Sequence, residues 1–120
     1  MTDMLVKLYE LPPLAPALER PAAAGIAVRR ALVPERHHVL PWVGRQFWAG
    51  WASECEAAYA RLPVACFVAV REGRLLGFAC YDATYKGVFG PMGVLETERG
   101  TGLGAALLLA CLHDMSAQGY

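Results

Sequence analysis

The segment with the clearest chemical potential is the glycine-rich stretch Arg-Gly-Thr-Gly-Leu-Gly at positions 99–104. It follows a short apolar run, 92–95, and opens a strongly helical segment, 104–118. The first N–H groups of a helix have no intrahelical acceptor and carry the positive end of the helix dipole. Glycines allow a phosphate to approach such N–H groups closely. The stretch therefore predicts an anion site of the phosphate-binding class.

Three phosphate-binding patterns compete for this segment. A P-loop would need Lys followed by Ser or Thr after the last glycine, and two alanines stand there instead. The dinucleotide fingerprint G-x-G-x-x-G/A is met by Gly100, Gly102 and Ala105. That fingerprint should follow the first strand of a βαβ unit, whereas here it follows a predicted antiparallel hairpin. The third pattern, R-x-x-G-x-G, is met by Arg99, Gly102 and Gly104.

The R-x-x-G-x-G pattern resembles the coenzyme A pyrophosphate loop of the GNAT superfamily of N-acetyltransferases. The predicted order of strand, helices, hairpin, strand, loop and helix is similar to the first two thirds of that fold. The resemblance implies an α/β fold with a mixed, mainly antiparallel sheet flanked by helices. It places a GNAT-like domain at 26–120, incomplete after its third main helix, and makes 1–25 an N-terminal extension. A further strand, helix and hairpin of the family fold would follow Tyr120.

The function that the resemblance implies is transfer of an acetyl group from acetyl-CoA to a primary amine. The acceptor is expected to be a small molecule, with a protein amine as the other option, and an acyl-CoA-binding protein or sensor without turnover is the alternative function. The main chain of Val94, in a strand interrupted by glycine and proline, is expected to bind the oxyanion. The full set expected to bind coenzyme A is Met92, Val94, Arg99, Gly100, Thr101, Gly102, Leu103, Gly104 and Ala105.

The sequence names no clear general base. Asp82 and Glu96 are candidates, with His37 as a further one, and a chain of water molecules is equally compatible with the chemistry. His37 and its neighbour His38 should diverge by about 100° on a helix, which favours an exposed pair over a shared site.

Aromatic residues are concentrated between positions 42 and 51. The helices there lie, in the family resemblance, over the acceptor site. Phe47 and Trp51 have the spacing of core residues. Trp42 and Trp48 are therefore the preferred acceptor-binding candidates, together with Phe89.

Composition excludes several classes of protein. The chain has 120 residues, of which 56% are hydrophobic and 18% charged, so it is not disordered. The formal net charge is zero, which gives no basic field for nucleic acid. The longest apolar block, 103–112, is too short to span a membrane, and the N-terminus lacks a secretory pattern. We expect a cytoplasmic protein.

The four cysteines, Cys55, Cys66, Cys80 and Cys111, form no C-x-x-C pair and have no histidine at a ligand-like spacing. A metal site is therefore not expected. Three of them lie within apolar runs, which indicates small core residues in a reducing compartment.

Local patterns predict the order of the secondary structure. Strands are expected at 4–11, 26–32, 65–71, 75–81 and 88–95, with a turn at 72–73. Helices are expected at 14–20, from 33 to a break that Pro41 forces near Leu40, at 47–62 and at 104–118. Asp114 should face solvent. The strand at 88–95 should form an open sheet edge, which predicts self-association, such as a homodimer, through that edge.

Overall fold

The computed structural model describes residues 7–120. The helices of this region are α1 (Leu14–Ala23), α2 (Arg36–Gln46), α3 (Ala49–Tyr59) and α4 (Leu103–Ala117). The strands are β1 (Ala27–Arg30), β2 (Cys66–Arg71), β3 (Arg74–Tyr81) and β4 (Phe89–Val94). Short 3₁₀ turns cover Leu8–Glu10, Val33–Glu35 and Glu96–Glu98. No helix in the described range is long and apolar enough to cross a membrane.

The four strands form one antiparallel sheet in the order β1-β2-β3-β4. The β2–β3 hairpin turns at Glu72 and Gly73, whose φ angles are 51° and 75°. Positive φ at both central positions gives the turn a twist that matches the twist of the strands. The predicted hairpin and the predicted α/β fold are therefore confirmed.

Helices cover both faces of the sheet. Phe78 of β3 packs against Trp42, Phe47 and Trp51, with ring centroids 5.5–6.3 Å apart, so α2 and α3 lie on one face. A Cβ built on Gly77, the neighbouring residue, would lie 3.0 Å from Leu107 of α4, on the other face. Helix α1 packs against α4 on that second face.

The N-terminal predictions need correction. Residues 4–6 of the expected strand lie outside the described residues, and Leu8–Glu10 forms a 3₁₀ turn, not a strand. Helix α1 extends beyond the predicted end at position 20 and includes Pro21, which is buried. The carbonyl of Pro21 accepts the N–H of Ile26 at 2.9 Å. Proline usually ends a helix. The packing of α1 against α4 thus allows the helix to continue past Pro21.

Pro41 does not break α2, contrary to the prediction. A proline inside a helix costs about 3 kcal/mol, but Val39, Trp42 and Val43 around it are buried in the core. Burying such side chains contributes about 1.5–3 kcal/mol each, which outweighs that cost. The break comes instead at Phe47, where φ is −126° and ψ is −88°, so the next helix begins at Ala49.

Strand β4 is the last strand of the described sheet and has an open side. The N–H of Leu95 donates to the carbonyl of Leu76 at 2.9 Å, and Gly77 lies opposite Val94. In an antiparallel ladder this makes the Gly77–Val94 pair non-hydrogen-bonded. The N–H and C=O groups of Val94, and of Met92 two residues earlier, therefore point away from β3. Self-association through this edge stays a prediction, which light scattering would test.

Candidate active site

The turn between β4 and α4, residues 96–102, is called the glycine loop below. Gly100 and Gly102 have φ angles of 83° and 80°, a conformation that glycine adopts without strain. Gly102 is the N-cap of α4, and its carbonyl accepts the N–H of Ala106 at 3.1 Å. Both glycines are therefore required by the path of the backbone, as the motif indicated.

The first turn of α4 presents unpaired N–H donors beside the glycine loop. The N–H groups of Leu103, Gly104 and Ala105 have no hydrogen-bond acceptor among the described residues. The positive end of the α4 dipole coincides with these donors. The arrangement suits a phosphate or another anion at this helix start.

Hydrogen bonds from three side chains hold the glycine loop in place. Arg71 of β2 makes a two-pronged ion pair with the buried carboxylate of Glu98, with both N–O distances at 3.1 Å. The hydroxyl of Thr101 donates to the carbonyl of Glu98 at 2.6 Å. Arg20 of α1 donates to the carbonyl of Gly100 at 3.0 Å. The hydroxyl proton of Thr101 is thus engaged inside the loop.

Two guanidinium groups next to the glycine loop are not neutralised. Arg99 and Arg20 are both exposed. No carboxylate in the described part of the chain lies within 4.0 Å of either one. The only carboxylate buried at the loop, that of Glu98, is paired with Arg71. With the exposed Glu96 included, three arginines stand against two carboxylates, so the loop and its neighbours carry a net positive charge.

The open side of β4 adjoins this cationic loop. The methyl carbon of Met92 lies 3.9 Å from the position of a Cβ built on Gly104. Strand β4, which carries the outward N–H groups of Met92 and Val94, therefore packs against α4 near its first turn. An extended ligand could bind its anionic end at the loop and its other end along the strand.

The aromatic candidates are not brought together. Trp42 is only 6% exposed and packs edge-on against Phe47 and Phe78, so it belongs to the core and not to a surface pocket. Trp48 is 58% exposed and lies over Gly50. Phe89 is half-buried at the beginning of β4, where it lies opposite Tyr81.

The aromatic ring nearest to the middle of β4 belongs to Phe47, which sequence reasoning assigned to the core. Its ring atoms would lie 2.5 Å from a Cβ on Gly93, so glycine is needed there for close packing. Phe47 and Trp51 are both only half-buried. The glycine inside the strand was the signal that something approaches closely, although it did not say what.

The candidate bases lie at opposite ends of β4. Glu96 is exposed in the turn after the strand, and Asp82 is buried before it. The strand has six residues, which span roughly 20 Å, so the two carboxylates cannot serve one reacting centre. Asp82 accepts the N–H of Gly87 at 2.6 Å and the hydroxyl of Tyr120, and thereby closes a turn. His37 and His38 are both exposed on α2, as expected.

A second polar group, called the tyrosine–aspartate cluster below, lies far from the glycine loop along β4 and α4. Its members are Arg30, Tyr81, Asp82, Asp114 and Tyr120. Asp114 does not face solvent as predicted, because it pairs with Arg30 and accepts the hydroxyl of Tyr81. Burial, followed by the hydrogen bond to Asp114, raises the pKa of Tyr81. Each carboxylate of the cluster is thus paired within the protein.

The cysteines are buried free thiols, as predicted. The sulfur atoms of Cys55, Cys66 and Cys80 lie within 4.8 Å of one another, where α3 packs on the hairpin. Hydrogen bonding to Cys55, together with burial, raises the pKa of Cys66 and of Cys80. In the described residues this is the only group of three or more metal-ligand side chains. The hydrogen bonds from Cys66 and Cys80 lower the pKa of Cys55 instead, so the three sulfur atoms form one hydrogen-bonded, buried group.

Comparison with known proteins agrees with this geometry. The protein-family model for the acetyltransferase (GNAT) family matches residues 27–120. No curated protein sequence matches the chain significantly. A similar solved structure is described as a GCN5-related glucosamine N-acetyltransferase region of a fungal multi-domain GH3 β-N-acetylglucosaminidase. The TM-score is 0.72 at 15% identity, and the match covers 93% of this chain and 16% of that one. The chain belongs to the GNAT acetyltransferase family.

Proposed function

We propose that the protein transfers an acetyl group from acetyl-CoA to a primary amine, R–NH₂. The observation that carries this proposal is that β4, with its open side, packs next to the unpaired donors at the start of α4. The glycine loop, the N–H groups of Leu103 to Ala105 and the Arg99 guanidinium bind the pyrophosphate. The outward main-chain groups of Met92 and Val94 hold the arm that carries the thioester.

The reaction needs one hydrogen-bond donor at the thioester carbonyl. The amine nitrogen attacks the carbonyl carbon, and the oxyanion that forms accepts the N–H of Val94. Removal of one such donor typically costs about 2.7–4 kcal/mol in the transition state. Collapse breaks the carbon–sulfur bond, and the leaving thiolate takes up a proton while the nitrogen loses one. The products are R–NH–CO–CH₃ and coenzyme A.

The acceptor is proposed to be a small-molecule amine that binds beside Phe47, Trp51 and Trp48. The half-buried ring of Phe47 lies next to the middle of β4, and the ring of Trp51 packs against it with the centroids 5.5 Å apart. An amino sugar belongs in the first panel of acceptors, since the similar fungal structure is described as a glucosamine N-acetyltransferase region. Polyamines, amino acids and peptide amines complete the panel.

Release of coenzyme A tests the proposal. The full chain is incubated with acetyl-CoA and each amine, and free thiol is measured with a chromogenic disulfide reagent. The protein's own thiols are buried, so they should contribute little background. Amine-dependent release is expected, with the matching N-acetylated amine as the inactive control. The absence of release with every amine, despite bound coenzyme A, would overturn the enzymatic function.

Binding without turnover is the second candidate function. It is favoured by the engagement of Asp82 in a turn, which leaves only the exposed Glu96 of the two acidic candidates beside β4. A thermal shift with coenzyme A, without any release of thiol, would support this function. Stabilisation by NAD but not by coenzyme A would contradict both candidates.

A further inference from the structure

Helix α1 lies outside the region matched by the family, 27–120, yet it contacts the glycine loop. The chain places Arg20 and Gly100 eighty positions apart. Two contacts bring α1 to this position. The ring nitrogen Nε2 of His113 on α4 hydrogen-bonds the Pro12 carbonyl at 2.7 Å, and the buried Pro21 anchors the end of the helix. The position of Arg20 is therefore set by packing against α4.

The guanidinium of Arg20 flanks the N-cap of α4. One nitrogen donates to the carbonyl of Gly100 at 3.0 Å. The other terminal nitrogen lies 3.8 Å from the position of a Cβ on Gly102. A guanidinium has five N–H donors, and only the bond to Gly100 is formed with the described residues. Several donors and a full positive charge thus remain beside the unpaired N–H groups of the helix start.

We propose that Arg20 is a further coenzyme-binding residue that contacts the pyrophosphate from the N-terminal extension. The inference rests on the proposed function, because it assigns a contact within the same coenzyme A site. Arginine is suited to this role, since its planar fork pairs with two phosphate oxygens at once. The extension, which the family pattern does not include, would then supply one wall of the site.

Ligands that differ in phosphate content, and variants that differ in charge at position 20, separate a binding role of Arg20 from a structural one. Dissociation constants are measured by calorimetry on the full chain for coenzyme A, for dephospho-coenzyme A, which lacks only the 3′-phosphate, and for pantetheine, which lacks phosphate. Arg20→Gln should weaken the first two by about tenfold, the usual value of a lost charge-assisted contact, and leave pantetheine unchanged. Arg20→Lys should lose less affinity than Arg20→Gln, because it keeps the positive charge but not the two-pronged geometry.

Arg36→Gln is the matched control, because it removes the same charge from an exposed residue that pairs with Glu56 instead. It should change no affinity by more than about twofold. The salt dependence of coenzyme A binding should become shallower in Arg20→Gln only. A loss of the bond to Gly100 alone would affect the Lys and Gln variants equally and leave the salt dependence unchanged.

Equal affinities of wild type and Arg20→Gln, or a loss confined to coenzyme A with its 3′-phosphate, would overturn the inference. Either result leaves the proposed function intact, since the wild type still binds. If wild type binds neither form of the coenzyme, the proposed function fails and the inference fails with it. The two failures are therefore distinguishable.

Discussion

The two ends of β4 both carry charged groups, but they use them in opposite ways. In the tyrosine–aspartate cluster, every carboxylate is paired with a hydroxyl, an N–H or a guanidinium of the protein. At the glycine loop, the carboxylate of Glu98 is likewise paired, whereas Arg20, Arg99 and the first N–H groups of α4 keep spare donors. One end has its polar groups satisfied internally, and the other has donors left over.

This difference separates a structural polar group from a binding one. A buried polar group that is fully paired stabilises the fold and has nothing left for a ligand. A group with spare donors and uncompensated charge adds little to stability but can bind an anion. We therefore expect substitutions at the cluster to change stability, and substitutions at the loop to change coenzyme affinity.

The largest expected effect is a loss of coenzyme A binding in Gly102→Asp. The new carboxylate lies at the N-cap of α4, where it repels a phosphate and takes its N–H donors. Affinity should fall by more than about a hundredfold, which is over about 2.7 kcal/mol. Gly73→Asp is the matched control, because Gly73 has a similar φ of 75° in the hairpin turn and open space around it. Calorimetric titration of both variants gives their coenzyme A affinities. Unchanged affinity in Gly102→Asp would mean that the ligand binds at another site.

The next effect concerns the tyrosine–aspartate cluster. Asp114→Asn keeps the shape of the side chain but leaves the Arg30 guanidinium without its counter-charge. The cost should be about 2 kcal/mol of unfolding free energy, below the usual value for a fully buried pair because Arg30 is 31% exposed. Coenzyme A affinity should change by less than about twofold. Urea unfolding measures the stability of this variant, and calorimetric titration measures its coenzyme A affinity. A loss of affinity without a loss of stability would contradict a structural role for the cluster.

A third test measures how much a fully hydrogen-bonded carboxylate, distant from both ends of β4, contributes to the stability of the fold. Arg29 of β1 donates two hydrogen bonds to Glu35, at 2.7 and 2.8 Å. These bonds lower the pKa of Glu35 from 4.5 to about 2. A folded-state pKa below the unfolded value stabilises the fold above about pH 4.5, and this contribution is lost as the pH falls towards 2.

The size of that contribution should be about 1 kcal/mol, since both side chains are partly exposed and screened. Glu35→Gln should lower the unfolding free energy at pH 7 and converge with wild type near pH 2. Glu72→Gln, in the exposed hairpin turn, is the control and should follow the wild-type curve. Parallel curves for Glu35→Gln and wild type across this range would show that the ion pair contributes nothing.

The sequence predicted the loop and the fold because both depend on local signals. Gly100 and Gly102 occupy positions of positive φ, and Glu72-Gly73 forms the expected turn. The failures came where packing overrides a local preference. Pro41 and Pro21 lie inside helices because buried neighbours outweigh their cost. Local patterns carry no information about how much a distant surface will bury.

Contacts between distant residues were also beyond the reach of the sequence. The pairing of Asp114 with Arg30 spans 84 positions, and that of Arg20 with Gly100 spans 80. The sequence predicts a solvent-facing Asp114, because no residue nearby in the chain offers it a partner. The sequence predicts Trp42 in a pocket, whereas it lies in the core. An aromatic ring suits both environments, and the local pattern does not distinguish them.

The smallest expected effect is that of Arg99→Ala. Arg99 is the conspicuous cation of the motif, but its side chain is exposed and has no partner in the described residues. An exposed charge contributes less to binding than N–H donors fixed by the backbone, because it is screened and must lose side-chain freedom when it binds. Coenzyme A affinity should therefore fall only about three- to fivefold, less than in Arg20→Gln, whose guanidinium is already held by Gly100. Titration of the two variants at one salt concentration gives the order directly. A larger loss from Arg99→Ala would mean that the motif arginine, and not the N-terminal extension, supplies the main charge at this end of β4.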